Sequence, residues 1–321
     1  MRSVVVGGAG FIGSHLVDAL LARGDQVTAI DNLSSGNRAF LPTQHPELRF
    51  LRSDVTRLTP HELAYVFSGH DIVFHLSANP EARAGLLDHF LDHQQGTTAT
   101  LNVLEATHIA SVPRFFLASS GTVYGDTARL CDEMDLGVLP ISLYGASKLA
   151  SEALVSAFAH CFGLRTTICR FGNVVGARAT HGAIFDFCKK LETDHERLLV
   201  LGDGNQAKPY LHVTDCVRGI LHAVNTNALV MNLAPNDTTT VAEIAARVVA
   251  ESPYPKAEIV YGQGAQGWKG DVPISRLDAS AAEWTGFVMQ HESSLSAVNR
   301  AVAEIVEETW GHEAIHAARV A

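Results

Sequence analysis

The stretch "LYGASKLASE" places Tyr144 four residues before Lys148. On a helix, such positions share a face one turn apart. An ammonium near a phenol favours the phenolate and draws the tyrosine pKa down from about 10 toward working pH. A tyrosinate so tuned is a general base for a hydroxyl proton. One Y-x-x-x-K alone is a weak signal, because many helices carry it by chance. Here "SSGTVYG", Ser119–Gly125, precedes it at the end of an expected strand. Ser120, and Thr122 beside it, are placed there to hydrogen-bond the reacting hydroxyl.

A second chemical signal is "GGAGFIGSHL", Gly7–Leu16. Its glycines are Gly7, Gly10 and Gly13, and Gly8 also fits a G-x-G-x-x-G count. The β-branched run "RSVVV" precedes it and the helical pattern "SHLVDALLARG" follows. In that context glycines allow a tight turn and close approach to a pyrophosphate, whose charge a helix N-terminus favours. Asp31 ends the next expected strand, "QVTAIDN", about twenty residues on. A carboxylate there binds a ribose 2′-hydroxyl and repels a 2′-phosphate, so the expected cofactor is NAD rather than NADP. Asp54 ends another strand on the same sheet edge, where it is placed to meet the adenine.

Further strands are expected at "LRFLRSD", "DIVFHLSA" and "RFFLASS", and "RTTICRFGNV" starts as one. Helical patterns fill residues 88–109 and 146–162. Strands alternating with helices predict an α/β fold with a Rossmann-like, doubly wound parallel sheet. From about Gly172 glycine-bearing loops interrupt shorter elements. The expected division is an NAD-binding domain over 1–171 and a smaller C-terminal α/β substrate domain over 172–321. Residues 209–226, which include "YLHVTDCVRGILHAV", are expected to pack back on the first domain.

Bulk properties narrow the function classes. The chain has 321 residues, 47% hydrophobic and 18% charged, with a formal net charge of -10. An acidic chain without Lys/Arg blocks is a poor nucleic-acid binder. No signal peptide is visible, and no stretch approaches the ~20 apolar residues of a membrane span. Five scattered cysteines without a C-x-x-C pair read as reduced thiols in a cytoplasmic protein. "HEAIH", His312–His316, matches H-E-x-x-H, but at the chain end it lacks a downstream third ligand. His89 and His93 form another i, i+4 pair. Both read as polar helix positions, and no metal is expected.

The chain resembles the extended short-chain dehydrogenase/reductases, most closely the NAD-dependent UDP-glucose 4-epimerases. The resemblance covers essentially the whole chain. It rests on "GGAGFIGSHL", "DNLSSG", "FHLSANPEAR", "SSGTVYG", "YGASK", "RFGNVVG", "LGDGNQAKPYLHVTD" and "GWKGDVP", all in the family's order. It implies tightly bound NAD, with catalytic Ser120, Tyr144 and Lys148. It also assigns Phe11, Ile12, Asn32, Val55, Leu76, Ser77 and Ala78 to the NAD pocket, and has Lys148 hold the nicotinamide ribose. It implies a homodimer through a four-helix bundle, here the helices around Leu101 and Ala153.

The same resemblance implies a UDP-sugar substrate oxidised to a transient 4-keto sugar. Related dehydratases carry an Asp-Glu pair in the segment equivalent to "SSGTVYG", and related decarboxylases a Glu. This chain has Gly121 and Thr122 there. Return of the hydride to the opposite face, 4-epimerisation, is then the expected fate. The resemblance assigns Asn173, Lys208 and Asp271 to the nucleotide sugar, with Lys269 a nearby cation. Lys208 stands where an arginine is usual, which keeps the charge but loses the fork. Gln266 and Thr180 also replace usual arginines, and Gly96 a usual asparagine. Arg83 and Arg178 are placed to face the sugar, or a uronate carboxylate. UDP-glucose/UDP-galactose is the leading expectation. UDP-glucuronate and UDP-N-acetylhexosamine 4-epimerases stay open, as does a non-catalytic NAD-binding protein.

Overall fold

The structure, a computed structural model, describes residues 1–127, 129–135 and 137–320, without the side chains of Ala314 and 316–320. The chain divides into two compact units. The first comprises Met1–Val123, Val138–Arg170 and Val217–Met231, and the second Tyr124–Gly137, Phe171–Cys216 and Asn232–Ala321. The segment 209–226 is thus shared between them.

The first unit alternates as its sequence pattern dictates. Strand β1 (Arg2–Val6) leads to α1 (Phe11–Ala22), then β2 (Gln26–Asp31), β3 (Leu48–Arg52), α2 (Pro60–Phe67) and β4 (Ile72–His75). The chain continues with α3 (Ala99–Ile109), β5 (Arg114–Ser120), α4 (Leu143–Phe162) and β6 (Arg165–Phe171). The seven-stranded sheet runs Val230–Leu233, β6, β5, β4, β1, β2, β3. Parallel pairing joins β3, β2, β1, β4 and β5. Strands covered on both faces must be apolar throughout, and β4 is buried at every position. Val4, Val73, Phe115, Leu104 and Phe67 belong to one core. The crossover order places the carboxyl ends of β1 and β2 together, so Gly7 and Asp31 meet at one sheet edge.

Helix boundaries follow local chemistry. Thr59 and Glu62 form a capping box on α2, with Pro60 opening the helix. The Ser142 hydroxyl accepts from the Gly145 N–H at 3.1 Å, and α4 ends at Gly163 with φ 67°. The cap starts α4 at Leu143, one turn earlier than the apolar spacing suggested. The expected single helix over 88–109 is also revised. Residues 93–98 form a π-helical segment that runs into α3. At its centre a Cβ on Gly96 would lie 2.6 Å from the Ser147 hydroxyl. The missing side chain permits that close approach to α4.

The second unit adds β7 (Asn173–Val175), α5 (Ala183–Thr193), β8 (Arg197–Val200), β9 (Ala207–Lys208) and β10 (Tyr210–His212). Helix α6 (Val213–Ala223) and strand β11 (Val230–Leu233) lead back through the first unit's sheet. Then come β12 (Thr239–Thr240), α7 (Val241–Glu251), β13 (Glu258–Tyr261), α8 (Ser280–Trp284) and α9 (Ser294–Val320). Its strands form two-stranded pairs, β7 with β10, β9 with β12 and β8 with β13. Ile184, Phe187, Ile244, Val248, Val298 and Val302 pack α5, α7 and α9 into a separate core. Helix α9 is broken at Gly311, φ 75°.

Cys131, Cys169, Cys188 and Cys216 are buried and Cys161 is exposed, all as free thiols. Among the described residues no helix is long and apolar enough to cross a membrane. No His/Cys/Asp/Glu group there could hold a metal ion. The His316 side chain, and with it part of "HEAIH", lies outside the described residues.

Candidate active site

The glycine loop joins β1 to α1. Gly7 adopts φ +82°, and a Cβ there would lie 2.8 Å from the Ser77 N atom. A Cβ on Gly13 would overlap the Gly7 carbonyl oxygen. These missing side chains let the loop lie against α1 and against the segment after β4. Gly10 caps α1 without any side-chain hydrogen bond, and no acidic residue occupies the first turn. The N-terminus of α1 therefore keeps its positive end for an anion. The cradle fits a pyrophosphate.

Asp31 ties this cradle to β2. Its Oδ2 accepts from the Ala9 N–H at 3.0 Å and its Oδ1 from the Leu33 N–H at 2.8 Å. Each carboxylate oxygen retains acceptor capacity for a ribose hydroxyl. Asn32 donates to Asp54 at 3.3 Å. Burial raises the Asp54 pKa, but hydrogen bonds from Thr56 and Asn32 outweigh it and hold the carboxyl below its usual value. Asp54 accepts from the Thr56 N–H at 2.9 Å and hydroxyl at 2.6 Å. Val55 is buried beside it. Phe11 and Ile12 open α1, and Leu76, Ser77 and Ala78 follow β4 against Gly7. All the sequence-predicted cofactor residues thus lie in the first unit.

The predicted catalytic residues lie in the same unit. Ser120 ends β5, and its Oγ accepts from the Thr122 N–H at 3.2 Å and hydroxyl at 3.0 Å. Tyr144 and Lys148 share one face of α4, with Nζ 5.7 Å from the centre of the tyrosine ring. Lys148 is 5% exposed and donates to the Ala118 carbonyl at 2.7 Å. Burial draws the Lys148 pKa down to about 8, while Glu152 and Asp92 oppose the fall. Burial pushes Tyr144 up to about 12, aided by the negative charge of Asp92 and opposed by a hydrogen bond from Ser120. The expected drop in the tyrosine pKa is therefore not a property of the chain alone. The ammonium lies over the ring face, and the surrounding burial penalises phenolate.

Several polar groups near this centre gave no signal in the sequence. Glu152, one turn beyond Lys148, is forked by Arg170: Nε lies 3.0 Å from Oε1 and Nη2 lies 2.7 Å from Oε2. Ser119 donates to the same carboxylate at 2.5 Å. His75 is buried with Nε2 3.1 Å from the Thr100 hydroxyl. Burial, with the Lys148 charge, lowers its pKa to about 3, so the ring is neutral. Asn79 donates to Asp92 at 2.9 Å.

The predicted substrate residues are distributed differently. Arg83 is held by Glu81 in the first unit, Nε to Oε1 at 2.9 Å and Nη2 to Oε2 at 2.8 Å. In the second unit Lys208 pairs with Asp271 at 2.5 Å. Asp271 also accepts from the Gly267 N–H at 3.1 Å. Lys269 is exposed and, with Trp268, Gln266 and Asp126, lines a cavity of about 610 Å³. Asn173 is exposed on β7. Arg178 has φ 64°, and its N–H meets the two carboxylate oxygens of Glu308 at 3.1 and 3.0 Å.

The chain is similar to known proteins of one family. The model of the NAD dependent epimerase/dehydratase family matches residues 3–234. A solved UDP-galactose 4-epimerase has a TM-score of 0.85 at 35% identity, covering 97% of this chain and 100% of that one. The UDP-glucose 4-epimerase of Thermotoga maritima, solved with UDP-glucose, has a TM-score of 0.85 at 29% identity, with coverage of 96% and 99%. The UDP-glucuronic acid 4-epimerase of Bacillus cereus, solved with UDP-glucuronic acid and NAD, has a TM-score of 0.82 at 25% identity, with coverage of 95% and 99%. The chain belongs to the NAD-dependent epimerase/dehydratase family and is an NAD-using enzyme of the sugar-nucleotide epimerase type.

Proposed function

We propose that the protein interconverts UDP-glucose and UDP-galactose by 4-epimerisation. The observation that carries this reading is the pair of residues after Ser120. Gly121 has no side chain, and the Thr122 hydroxyl is committed to Ser120. Neither position offers a carboxyl to eliminate water or assist decarboxylation. Oxidation at C4 followed by reduction from the other face is the reaction left to this centre.

When bound, NAD supplies a hydride acceptor, and later donor, together with the positive charge of its oxidised ring. Once ionised, the Tyr144 phenolate oxygen takes the proton of the sugar 4-hydroxyl, becoming the neutral phenol, and gives it back when the sugar is reduced. Thr122 fills the acceptor side of Ser120, so the serine proton points away to the tyrosine or sugar oxygen. Lys148 places a buried cation beside the tyrosine. Gly7, Gly10, Gly13, Phe11 and Ile12 hold the pyrophosphate; Asp31 and Asn32 hold a ribose. Asp54 and Val55 serve the adenine end, and Leu76, Ser77 and Ala78 the nicotinamide end. In the second unit Asn173, Lys208, Lys269 and Asp271 bind the nucleotide. The neutral hexose is preferred over a uronate because the Arg83 fork is already filled by Glu81.

The exposed apolar residues Leu101 on α3 and Phe162 on α4 support a homodimer through these helices. Light scattering giving twice the chain mass supports it, and a single-chain mass removes it. The function itself is tested by incubating the purified protein, then the protein with added NAD, with UDP-glucose, UDP-N-acetylglucosamine and UDP-glucuronate separately. UDP-galactose from the first supports the reading. A 4-epimer only in another tube reassigns the sugar, and no epimer in any tube overturns it.

A further inference from the structure

Asp92 immediately precedes the π-helical segment and is 2% exposed. Asn79 donates to its Oδ1 at 2.9 Å. Its Oδ2 is buried and has no hydrogen-bond partner among the described residues. That oxygen rests where a Cβ on Gly85 would collide with it, so the glycine makes its space. A buried carboxylate oxygen without a donor is costly, and such a group gives up its charge readily. Burial raises the Asp92 pKa, while the Asn79 hydrogen bond and the Lys148 charge oppose the rise.

A Cβ on Gly85 would touch both the Asp92 Oδ2 and the Leu143 side chain, so Asp92 lies against the first turn of α4, next to Tyr144 in sequence. From this helix the charges of Lys148 and Tyr144 are coupled to it. In the neighbouring turn, Glu81 and Arg83 are paired with each other. Asp88, His89 and His93, close in sequence, are exposed. A negative Asp92 helps keep Lys148 protonated but opposes ionisation of Tyr144. The two effects have opposite consequences for a tyrosine base.

We propose that Asp92 is a third titrating group of the Tyr144–Lys148 centre, a positioning residue whose charge sets the pH at which Tyr144 serves as base. This rests on Tyr144 being the base of the proposed reaction. Ionised Asp92 and tyrosinate are like charges in one buried site, so they titrate as a coupled pair. Glu152 supports the Lys148 charge more than Asp92 does, so loss of the Asp92 charge acts chiefly on Tyr144 directly and lowers the pH needed for tyrosinate. The proton concerned is exchanged with solvent, and no other reactant is required.

The test compares wild type, Asp92→Asn and Asn79→Ala as holoenzymes. Asp92→Asn removes the charge and keeps the shape. Asn79→Ala removes the one side-chain donor to Asp92 and keeps it neutral to higher pH. Both are expected to move the acid limb of the kcat profile downward, by about one pH unit for Asp92→Asn. Tyrosinate absorbance, corrected with Tyr144→Phe, is read on the same samples and is expected to move the same way. It does not depend on turnover, so it separates this inference from the identity of the sugar. Lower activity with the limb and the absorbance titration both unmoved would overturn the inference, leaving Asp92 a packing residue. If the variants do not bind NAD, the absorbance titration of wild type decides: a single tyrosine transition uninfluenced by a carboxyl overturns it.

Discussion

Thr122 gives both of its hydrogen bonds to one atom, the Ser120 hydroxyl oxygen, from its N–H at 3.2 Å and its own hydroxyl at 3.0 Å. The threonine is therefore an orienting residue. Thr122→Val removes one of the two donors at constant volume. We expect kcat to fall about tenfold, as for loss of one ordinary hydrogen bond, with NAD content unchanged. Unchanged kcat would detach Thr122 from Ser120.

Tyr144→Phe removes the oxygen that moves the proton. Turnover should drop by about 10²- to 10⁴-fold. NAD released by denaturing the variant should match wild type. Near-normal turnover would mean that another group is the base.

Gly13→Ala places a methyl on the Gly7 carbonyl. Overpacking of this kind costs about 1–3 kcal/mol. A lower melting temperature and loss of copurified NAD are expected together. Full NAD content would show that the loop can shift aside and that its close packing is not needed for binding.

Asp31→Ala strands the N–H groups of Ala9 and Leu33. Each lost hydrogen bond costs about 1 kcal/mol. Weaker NAD binding is the predicted readout, measured by titration into stripped protein. An unaltered dissociation constant would remove Asp31 from the ribose site.

In the second unit, Glu304 accepts from Ala177 N–H at 3.0 Å, lies 3.1 Å from His212 Nε2, and accepts from Arg300 at 2.7 Å. Burial alone raises its pKa, but these partners outweigh it and hold the group down to about 2, from the usual 4.5. A carboxylate depressed in the folded state adds stability that is complete above its unfolded value and lost as pH falls toward the folded one. Unfolding free energy should therefore decline between pH 4.5 and about 2. Glu304→Gln should be less stable at neutral pH and less sensitive across that window. Parallel curves for the two proteins would assign the acid loss to other groups.

Local sequence carried much of this structure. Residues 114–120 are readable as a strand to the residue, because the apolar run Phe115–Ala118 is bracketed by Pro113 and Gly121. The glycine loop was readable because steric demands there are local. Tyr144 and Lys148 were readable from spacing. What could not be read was long-range. Arg170 meets Glu152 across 18 residues, and no periodicity announces that pairing. Asp92 sits in a histidine-rich stretch whose burial depends on the approach of α4. The rise in the Tyr144 pKa of the chain alone has the same origin. Spacing reveals the nearby lysine, but not the enclosing walls or the carboxyl beyond it.

The Glu152–Arg170 fork has a mechanical consequence. Apolar packing between a helix and a sheet is tolerant of sliding, since one methyl serves much as another. A fork of charged hydrogen bonds is not. Advancing α4 by one turn would carry Glu152 about 5.4 Å from Arg170 and Ser119 and leave bare charges in the interior. The ion pair thus acts as a detent on the helix axis, holding the tyrosine oxygen at one height above the sheet.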